Sequence, residues 1–201
     1  MTRCGECVNC RTGLDNLCIY VGHRNGGQDE PFGPAGLSDY LVVPTYQLYP
    51  VADSVSFGEA SLAEPLACTV RSARRSAPQL GDTVLVVGAG TMGLLHVMTF
   101  KLYGVRIIVS EPNPDRREKA LEVGANEVID PESQDVVETV RGMTGGHGAQ
   151  IVVMTGGNAA AYEGAIRAAA KGGRVILYAA MYPEPEVKLP INLIHRTEVA
   201  V

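Results

Sequence analysis

From Asp82 onward, apolar residues occur in short continuous runs that alternate with segments of helical periodicity. The runs predict strands, since β-branched residues at successive positions are typical of a sheet that helices cover on both faces. The predicted strands cover residues 83–87, 106–110, 127–130, 150–154 and 174–178, with a sixth beginning at Glu198. The predicted helices cover residues 91–103, 115–123, 135–143 and 159–170. This alternation predicts an α/β fold with a doubly wound parallel sheet.

The part of the chain before Asp82 has a different pattern. Residues 1–36 are rich in glycine and cysteine and lack helical periodicity, so they cannot bury much apolar surface by themselves. Short extended pieces are predicted at 40–43 and 47–49, between prolines. A helix or a helix pair is predicted over 56–76, because the segment opens on a Ser-x-x-Glu capping box and is followed by Pro78.

Composition adds limits on class and partners. The 201 residues are 46% hydrophobic and carry a formal net charge of −5, which gives no electrostatic reason to expect nucleic acid or an anionic membrane as a partner. We expect no membrane span, because no run of about eighteen apolar residues occurs. No apolar leader follows Met1, so no signal peptide is expected either. Five cysteines, four of them close together, suit a metal site in a reducing compartment, so we expect a cytoplasmic protein.

Four cysteines near the N-terminus have the spacing C-x2-C-x2-C-x7-C: Cys4, Cys7, Cys10 and Cys18. Four thiolates at about 2.3 Å satisfy tetrahedral zinc fully and leave no open coordination position. The spacing therefore predicts one structural zinc, which would order a segment that has no core of its own. A disulfide pair, an iron–sulfur cluster and unligated thiols are the alternatives.

A glycine-rich turn connects the first predicted strand to the helix that follows it. Gly88, Gly90 and Gly93 form the pattern G-x-G-x-x-G, with Thr91 and Met92 as the first helical residues. In this context the first glycine allows a tight turn, the second lets the backbone approach a pyrophosphate, and the third lets helix and strand pack closely. The turn predicts a Rossmann dinucleotide site, and a different ligand at the same kind of turn is the alternative.

An acidic residue closes the second predicted strand. Glu111 lies 23 positions after Gly88, where a carboxylate can accept hydrogen bonds from both ribose hydroxyls of NAD. The same charge would repel a 2′-phosphate, so we expect NAD rather than NADP. Arg116 and Arg117 lie close by in the sequence and weaken that preference.

Taken together, the cysteine cluster, the segment of residues 62–68 (LAEPLAC) and the glycine-rich turn resemble the zinc-dependent medium-chain alcohol dehydrogenase family. The nearest branch is that of the polyol (sorbitol-like), threonine and sugar dehydrogenases. The resemblance covers essentially the whole chain. It implies a partial GroES-like β lobe at 1–60 that carries the structural zinc, and a Rossmann NAD-binding domain at 61–201. It also implies oxidation of a small secondary alcohol by hydride transfer to the nicotinamide.

The resemblance assigns a role to Glu64. In this branch the acid of the E-P-L motif lies beside the catalytic zinc as a ligand or near-ligand, so Glu64 is the candidate for a catalytic and metal-binding residue. Cys68 is then one helical turn further, near the nicotinamide end of the cofactor, as a packing residue. The alternative for Glu64 is a helix cap or a salt bridge.

The chain also departs from the family pattern. The catalytic zinc of the family needs a cysteine and a His-Glu pair from before the cysteine lobe, and none of the four histidines here precedes a glutamate. We therefore expect a dehydrogenase truncated at both ends, inactive by itself and a homo-oligomer when intact. The competing hypotheses are a non-catalytic module that binds dinucleotide and zinc, and a zinc-free, quinone-reductase-like member of the superfamily, against which the cysteines argue.

Overall fold

The chain divides into two compact units, Met1–Ala52 and Asp53–Val201, and the computed structural model describes residues 4–20, 39, 40, 42, 45 and 48–201. The helices are α1 (Val8–Arg11), α2 (Phe57–Ala60), α3 (Ala63–Ser76), α4 (Thr91–Lys101), α5 (Pro114–Val123), α6 (Val136–Met143), α7 (Ala159–Ala168) and α8 (Ile191–Thr197), with a 3-10 turn at Asp15–Leu17. The strands are β1 (Thr83–Val87), β2 (Arg106–Ser110), β3 (Glu127–Ile129), β4 (Ala149–Met154) and β5 (Ala169–Leu177). The extended pieces predicted at 40–43 and 47–49 lie partly outside the described residues.

The second unit is built on one sheet in which the five strands have the order β3-β2-β1-β4-β5. All pairings are parallel; Leu85 of β1, for example, pairs with Ile108 of β2 on one side and Val152 of β4 on the other. The chain moves outward from β1 to β3 and then crosses back to β4, so the strand order reverses between β1 and β4. The predicted parallel α/β sheet is confirmed, and this reversal is where such sheets form a ligand crevice.

The sheet has an apolar cluster on each face. Alternate residues of one strand belong to different clusters, since Val84 and Val86 point to one face and Leu85 to the other. The first cluster includes Phe100 of α4 and Ala120 of α5, and the second includes helical residues of α6 and α7. Two-sided coverage explains why the central strands are continuous apolar runs with no polar face.

The segment before the sheet forms a pair of helices, α2 and α3. Ser56 and Glu59 cap α2 reciprocally, because Glu59 accepts from the Ser56 N–H at 2.8 Å and donates its own N–H to the Ser56 hydroxyl at 3.2 Å. The predicted capping box is therefore confirmed. α3 ends at Ser76, where Ala77 takes a left-handed conformation with φ of 46°, directly before Pro78.

The structure differs from the prediction at the end of the sheet. α7 ends at Ala168, and β5 begins immediately at Ala169, five residues earlier than expected. The pairing with β4 is irregular there, and Gly172 has a positive φ of 69°, so glycines take up the extra residues. In place of the sixth strand, Ala200 makes an isolated parallel bridge to Arg174.

α8 was not predicted, because its seven residues are too few to show a clear period. Tertiary contact supports it, since Ile194 packs against the second apolar cluster. Within the described residues, no helix is long and apolar enough to cross a membrane.

Candidate functional site

The glycine-rich turn leaves the carboxyl end of β1 at the point where the strand order reverses. Gly88 has a φ of 94°, which favours glycine, and its N–H donates to the carbonyl of Ser110 at 2.8 Å. A Cβ on Gly93 would overlap the carbonyl oxygen of Gly88, so only glycine allows α4 to start so close to β1. A Cβ on Gly90 would meet nothing within 4 Å. Gly90 therefore faces open space in which a ligand can approach the backbone.

The N-terminus of α4 differs from those of the next three helices. The N-cap residues Asn113 of α5, Asp135 of α6 and Asn158 of α7 each accept a hydrogen bond from the backbone through the side chain. Gly90, the N-cap of α4, has no side chain to do so. The first N–H groups of α4, from Thr91 and Met92 onward, thus remain available together with the positive end of the helix dipole. This arrangement favours binding of a phosphate group.

A cleft of about 880 Å³ opens beside this turn, along the carboxyl ends of the strands. Its lining includes Gly88, Gly90, Ser110, Glu111, Arg116 and Thr155. Thr155, which follows β4, was not predicted. Its hydroxyl donates to the carbonyl of Val87 at 2.9 Å and ties the end of β4 to the glycine-rich turn. The signal available in the sequence was the run Thr155-Gly156-Gly157 directly after a buried strand.

Glu111 is buried between the glycine-rich turn and the loop after β2, with 4% of its surface exposed. Its Oε2 accepts from the N–H of Ala89 at 2.7 Å, and its Oε1 accepts from the N–H of Asn113 at 3.0 Å. Each carboxylate oxygen has two lone pairs, so each retains one acceptor position. The carboxylate borders the cleft, where a ribose hydroxyl can reach it.

The two arginines after β2 have different surroundings. Arg117 donates through Nη1 to the carbonyl oxygens of Glu111 and Pro112, and its Nη2 lies 3.5 Å from a carboxylate oxygen of Asp130. Arg116 is exposed and borders the cleft. Arg116 is therefore the arginine placed to meet a phosphate, while Arg117 holds the loop.

Glu64 lies in the first turn of α3 beside Cys68 and Tyr178. The thiol of Cys68 donates to Oε1 of Glu64 at 3.3 Å. Burial raises the pKa of the Cys68 thiol, and the Glu64 carboxylate raises it further, so this cysteine stays protonated at neutral pH. Burial also raises the pKa of Tyr178, with smaller contributions from Cys68 and Glu64. The three side chains form one cluster at the end of β5.

His96 is fully buried in α4. Its Nδ1 lies 2.7 Å from the carbonyl oxygen of Met92, which can only accept, so the proton is on Nδ1. Nε2 has no hydrogen-bond partner among the described residues, and the ring packs edge-on against Tyr178 at 4.6 Å between centroids. Burial lowers the pKa of His96.

The sulfur atoms of Cys4, Cys7, Cys10 and Cys18 lie within 4.8 Å of one another, and all four thiols are free of disulfides. A tetrahedral site with bonds of about 2.3 Å separates its sulfurs by about 3.8 Å, and those of Cys4 and Cys10 are 3.9 Å apart. The N–H of Cys7 donates to the Cys4 sulfur at 3.1 Å. Burial raises the pKa of Cys10, whereas backbone N–H donors, that of Cys10 first and that of Ile19 next, lower the pKa of Cys7 to about 6. Such donors stabilise thiolates, so the donor set fits a zinc ion.

The chain matches a known protein family over more than half of its length. The family model described as "Zinc-binding dehydrogenase" matches residues 91–201. The chain belongs to the zinc-binding dehydrogenase family. This confirms the resemblance seen in the sequence.

Curated zinc-type relatives include a sorbitol dehydrogenase of Bacillus subtilis, 29% identical over 199 residues, which covers 98% of this chain and 55% of the relative. An L-threonine 3-dehydrogenase of Pyrococcus horikoshii is 35% identical over 181 residues, 90% of this chain and 50% of the relative. The chain thus spans about half the length of the curated relatives it matches.

Solved structures of dehydrogenases resemble this chain. One from Sinorhizobium meliloti, described as a zinc-binding dehydrogenase bound to NADP, has a TM-score of 0.86 and 30% identity and covers 100% of this chain and 58% of its own. An alcohol dehydrogenase from Escherichia coli CFT073, solved with NADH, has a TM-score of 0.82 and 27% identity and covers 99% of this chain and 57% of its own. Neighbours of this fold therefore bind either cofactor.

Proposed function

We propose that this chain is the dinucleotide-binding part of a dehydrogenase that oxidises a small secondary alcohol by hydride transfer to NAD(P). The observation that carries the proposal is the uncapped N-terminus of α4, which opens into the same cleft as the carboxylate of Glu111. The first supplies N–H groups for a pyrophosphate, and the second supplies acceptors for the adjacent ribose. The substrate class, a polyol, a sugar or an amino alcohol such as threonine, is supported by the relatives' names.

In this proposal the turn Gly88–Gly93 would hold the phosphates of the cofactor, and the cleft beside it would hold the adjacent ribose. When bound, the nicotinamide would supply the hydride acceptor, and a catalytic zinc ion would supply polarisation of the substrate hydroxyl. This chain would position the cofactor, and Thr155 and the two glycines after it line the cleft. Glu64 is our candidate for a ligand or near-ligand of the catalytic zinc. We also infer a homo-oligomer in the intact enzyme and a cytoplasmic location, the latter from the free thiols.

We infer that residues 1–60 form a partial GroES-like lobe with a structural zinc held by Cys4, Cys7, Cys10 and Cys18, and that residues 61–201 form the Rossmann domain. The sulfur separations and the N–H donors to sulfur support the zinc. Four protein ligands would leave it no position for substrate.

We propose a preference for NAD over NADP that depends on Glu111, with Arg116 acting against it. The Glu111 charge disfavours a 2′-phosphate, while the exposed guanidinium of Arg116 favours one. The substitution R116A should weaken NADPH binding by about 1–3 kcal/mol and leave NADH binding nearly unchanged. Fluorescence titration of both reduced cofactors checks this, and tighter binding of NADPH than NADH by the unchanged chain would refute the preference.

A non-catalytic module that binds dinucleotide and zinc is the second candidate. One observation favours it: the described residues contain a single group of three or more metal-ligating side chains, and Glu64 is not part of it. This candidate predicts cofactor binding without turnover.

The two candidates are separated by one set of measurements on the purified chain. NADH binding is followed by fluorescence, and NADH formation is followed with sorbitol, threonine and galactonate at saturating NAD. Turnover by the chain alone, or after addition of a fragment that carries the family's cysteine and His-Glu pair, supports the dehydrogenase. Binding without turnover in both cases supports the non-catalytic module. Absence of NADH and NADPH binding would overturn both.

A further inference from the structure

We infer that Glu111 is a positioning residue as well as a ribose acceptor: its carboxylate holds the glycine-rich turn in the shape that binds a pyrophosphate, before any nucleotide is present. The inference deepens the proposed function and rests on the proposed dinucleotide site. The buried carboxylate of Glu111 bridges two loops through hydrogen bonds to their backbones.

The bridge consists of two hydrogen bonds to different loops. Oε2 accepts from the N–H of Ala89, between the first two glycines of the turn, and Oε1 accepts from the N–H of Asn113, in the loop after β2. Hydrogen bonds to an ionised acceptor are roughly twice as strong as neutral ones, and the low exposure of Glu111 keeps water from competing.

The N–H of Ala89 depends on this carboxylate. Ala89 is only 1% exposed, and among the described residues the acceptor for its N–H is Oε2 of Glu111, at 2.7 Å. A buried N–H without a partner is unfavourable enough that the backbone moves to find another one. Removal of the carboxylate should therefore change the conformation of the turn itself.

The backbone of Glu111 is fixed from both sides, so its carboxylate has little freedom to follow a displaced turn. Its N–H donates to the carbonyl of Ile129 at 3.0 Å, which continues the pairing of β2 with β3. Its own carbonyl accepts from Nη1 of Arg117 at 2.8 Å. A residue held in this way positions its neighbours rather than being positioned by them.

The two roles can be separated by a ligand that lacks the ribose hydroxyls. ADP presents the pyrophosphate and both hydroxyls to the site, whereas 2′,3′-dideoxy-ADP presents only the pyrophosphate and the base. A residue that serves the ribose alone would affect binding of the first and not of the second. A residue that shapes the turn affects both.

The test uses the whole chain with the variants E111A and E111Q and with E118Q as the control, since Glu118 is an exposed carboxylate on α5 outside the cleft. Glutamine keeps the length of the side chain but can accept from only one of the two N–H groups. We expect both Glu111 variants to bind 2′,3′-dideoxy-ADP at least fivefold more weakly, and E118Q to bind it as the unchanged chain does. We also expect amide hydrogen exchange of residues 84–92 to accelerate in both Glu111 variants without nucleotide.

Unchanged binding of 2′,3′-dideoxy-ADP in both variants, together with unchanged exchange at residues 84–92, would overturn the inference and leave Glu111 as a ribose acceptor only. If the unchanged chain binds neither nucleotide, the proposed function fails, but the exchange experiment still decides whether Glu111 holds the turn. If E111A does not fold, E111Q gives both measurements.

Discussion

At the scale of single residues, close approach and burial decide which side chains the site tolerates. Gly93 is required because α4 begins against the carbonyl of Gly88, and no rotation of a side chain can remove an overlap with backbone. Gly142, in α6, is also a helical glycine, but a Cβ there would meet nothing within 4 Å. The same residue type is therefore essential in one helix and replaceable in another.

The substitution G93A should destabilise the chain by about 2–4 kcal/mol, since the backbone must shift to admit the methyl group. G142A is the matched control and should stabilise it by about 0.5–1 kcal/mol through helix propensity. Urea unfolding followed by circular dichroism measures both. Equal stabilities for the two variants would show that the close contact at Gly93 is absent in solution.

His96 gives the stability of the chain a dependence on pH. Its pKa in the folded chain is lower than the unfolded value of about 6.5, because burial disfavours the charged ring. As pH falls below the pKa of the unfolded chain, His96 binds a proton in the unfolded chain but not in the folded chain. The free energy of unfolding therefore decreases. Above that pKa, both states are neutral and this contribution is fully present.

The substitution H96L should therefore make the free energy of unfolding less dependent on pH as pH falls below about 6.5. Above that pH the substitution should cost about 0.5–1.5 kcal/mol, since the volumes are similar and Nε2 has no partner to lose, but the hydrogen bond from Nδ1 to the Met92 carbonyl is lost. Unfolding curves at a series of pH values for both chains measure the difference. Parallel pH profiles for H96L and the unchanged chain would contradict a neutral buried imidazole.

At the scale of elements, the N-termini of the helices differ in whether a side chain caps them. The next three helices along the chain, α5, α6 and α7, begin with a side-chain cap, whereas α4 begins at Gly90 with none. A missing cap reduces helix stability and at the same time leaves N–H groups free for a ligand. The proposed site thus lies at a helix end that no side chain of the N-cap residue satisfies.

The substitution G90D should stabilise the chain by a few tenths of a kcal/mol up to about 1 kcal/mol, because Gly90 already has the extended conformation of an N-cap and an aspartate can cap α4. It should also abolish NADH binding, since the carboxylate takes the free N–H groups and repels phosphate. Thermal unfolding and fluorescence titration measure the two effects. The control G142D adds the same charge at an exposed position of α6 and should leave NADH binding unchanged. Retained NADH binding in G90D would show that the phosphates bind elsewhere.

At the scale of the whole molecule, the two units are stabilised in different ways. The unit Asp53–Val201 has an apolar cluster on each face of its sheet. In residues 4–20 the buried apolar cluster consists of Cys4, Cys7 and Cys18, with Cys10 packed against it. Three small buried thiols and one partly buried thiol cannot order a segment by hydrophobic burial alone, which is why we assign that role to a metal.

The double substitution C7S/C10S should remove the zinc, which we expect at one per chain, because two of the four thiolates are lost. Amide exchange of residues 4–20 should accelerate, while the melting temperature of the sheet unit should stay within a few degrees. Metal analysis of purified chains and exchange mass spectrometry check this. Full zinc occupancy in the double variant would show that these cysteines are not its ligands.

The sequence by itself determined the features that depend on neighbouring residues. The strands near 83–87 and 106–110, the capping box of α2 and the glycine-rich turn were all predictable, because backbone conformation follows local residue type and period. The start of β5 and the helix α8 were not, since glycine irregularity and tertiary packing override local preference there.

Only the tertiary structure decided which groups meet across the sheet. The bond from Ala89 to Glu111 joins residues 22 positions apart, and the contact of His96 with Tyr178 joins a helix to a distant strand end. No local period encodes such pairs, because they follow from the strand order and from which strand ends converge where that order reverses. The sequence thus supplied the residues of the site, and the fold assigned the buried carboxylate its two backbone partners.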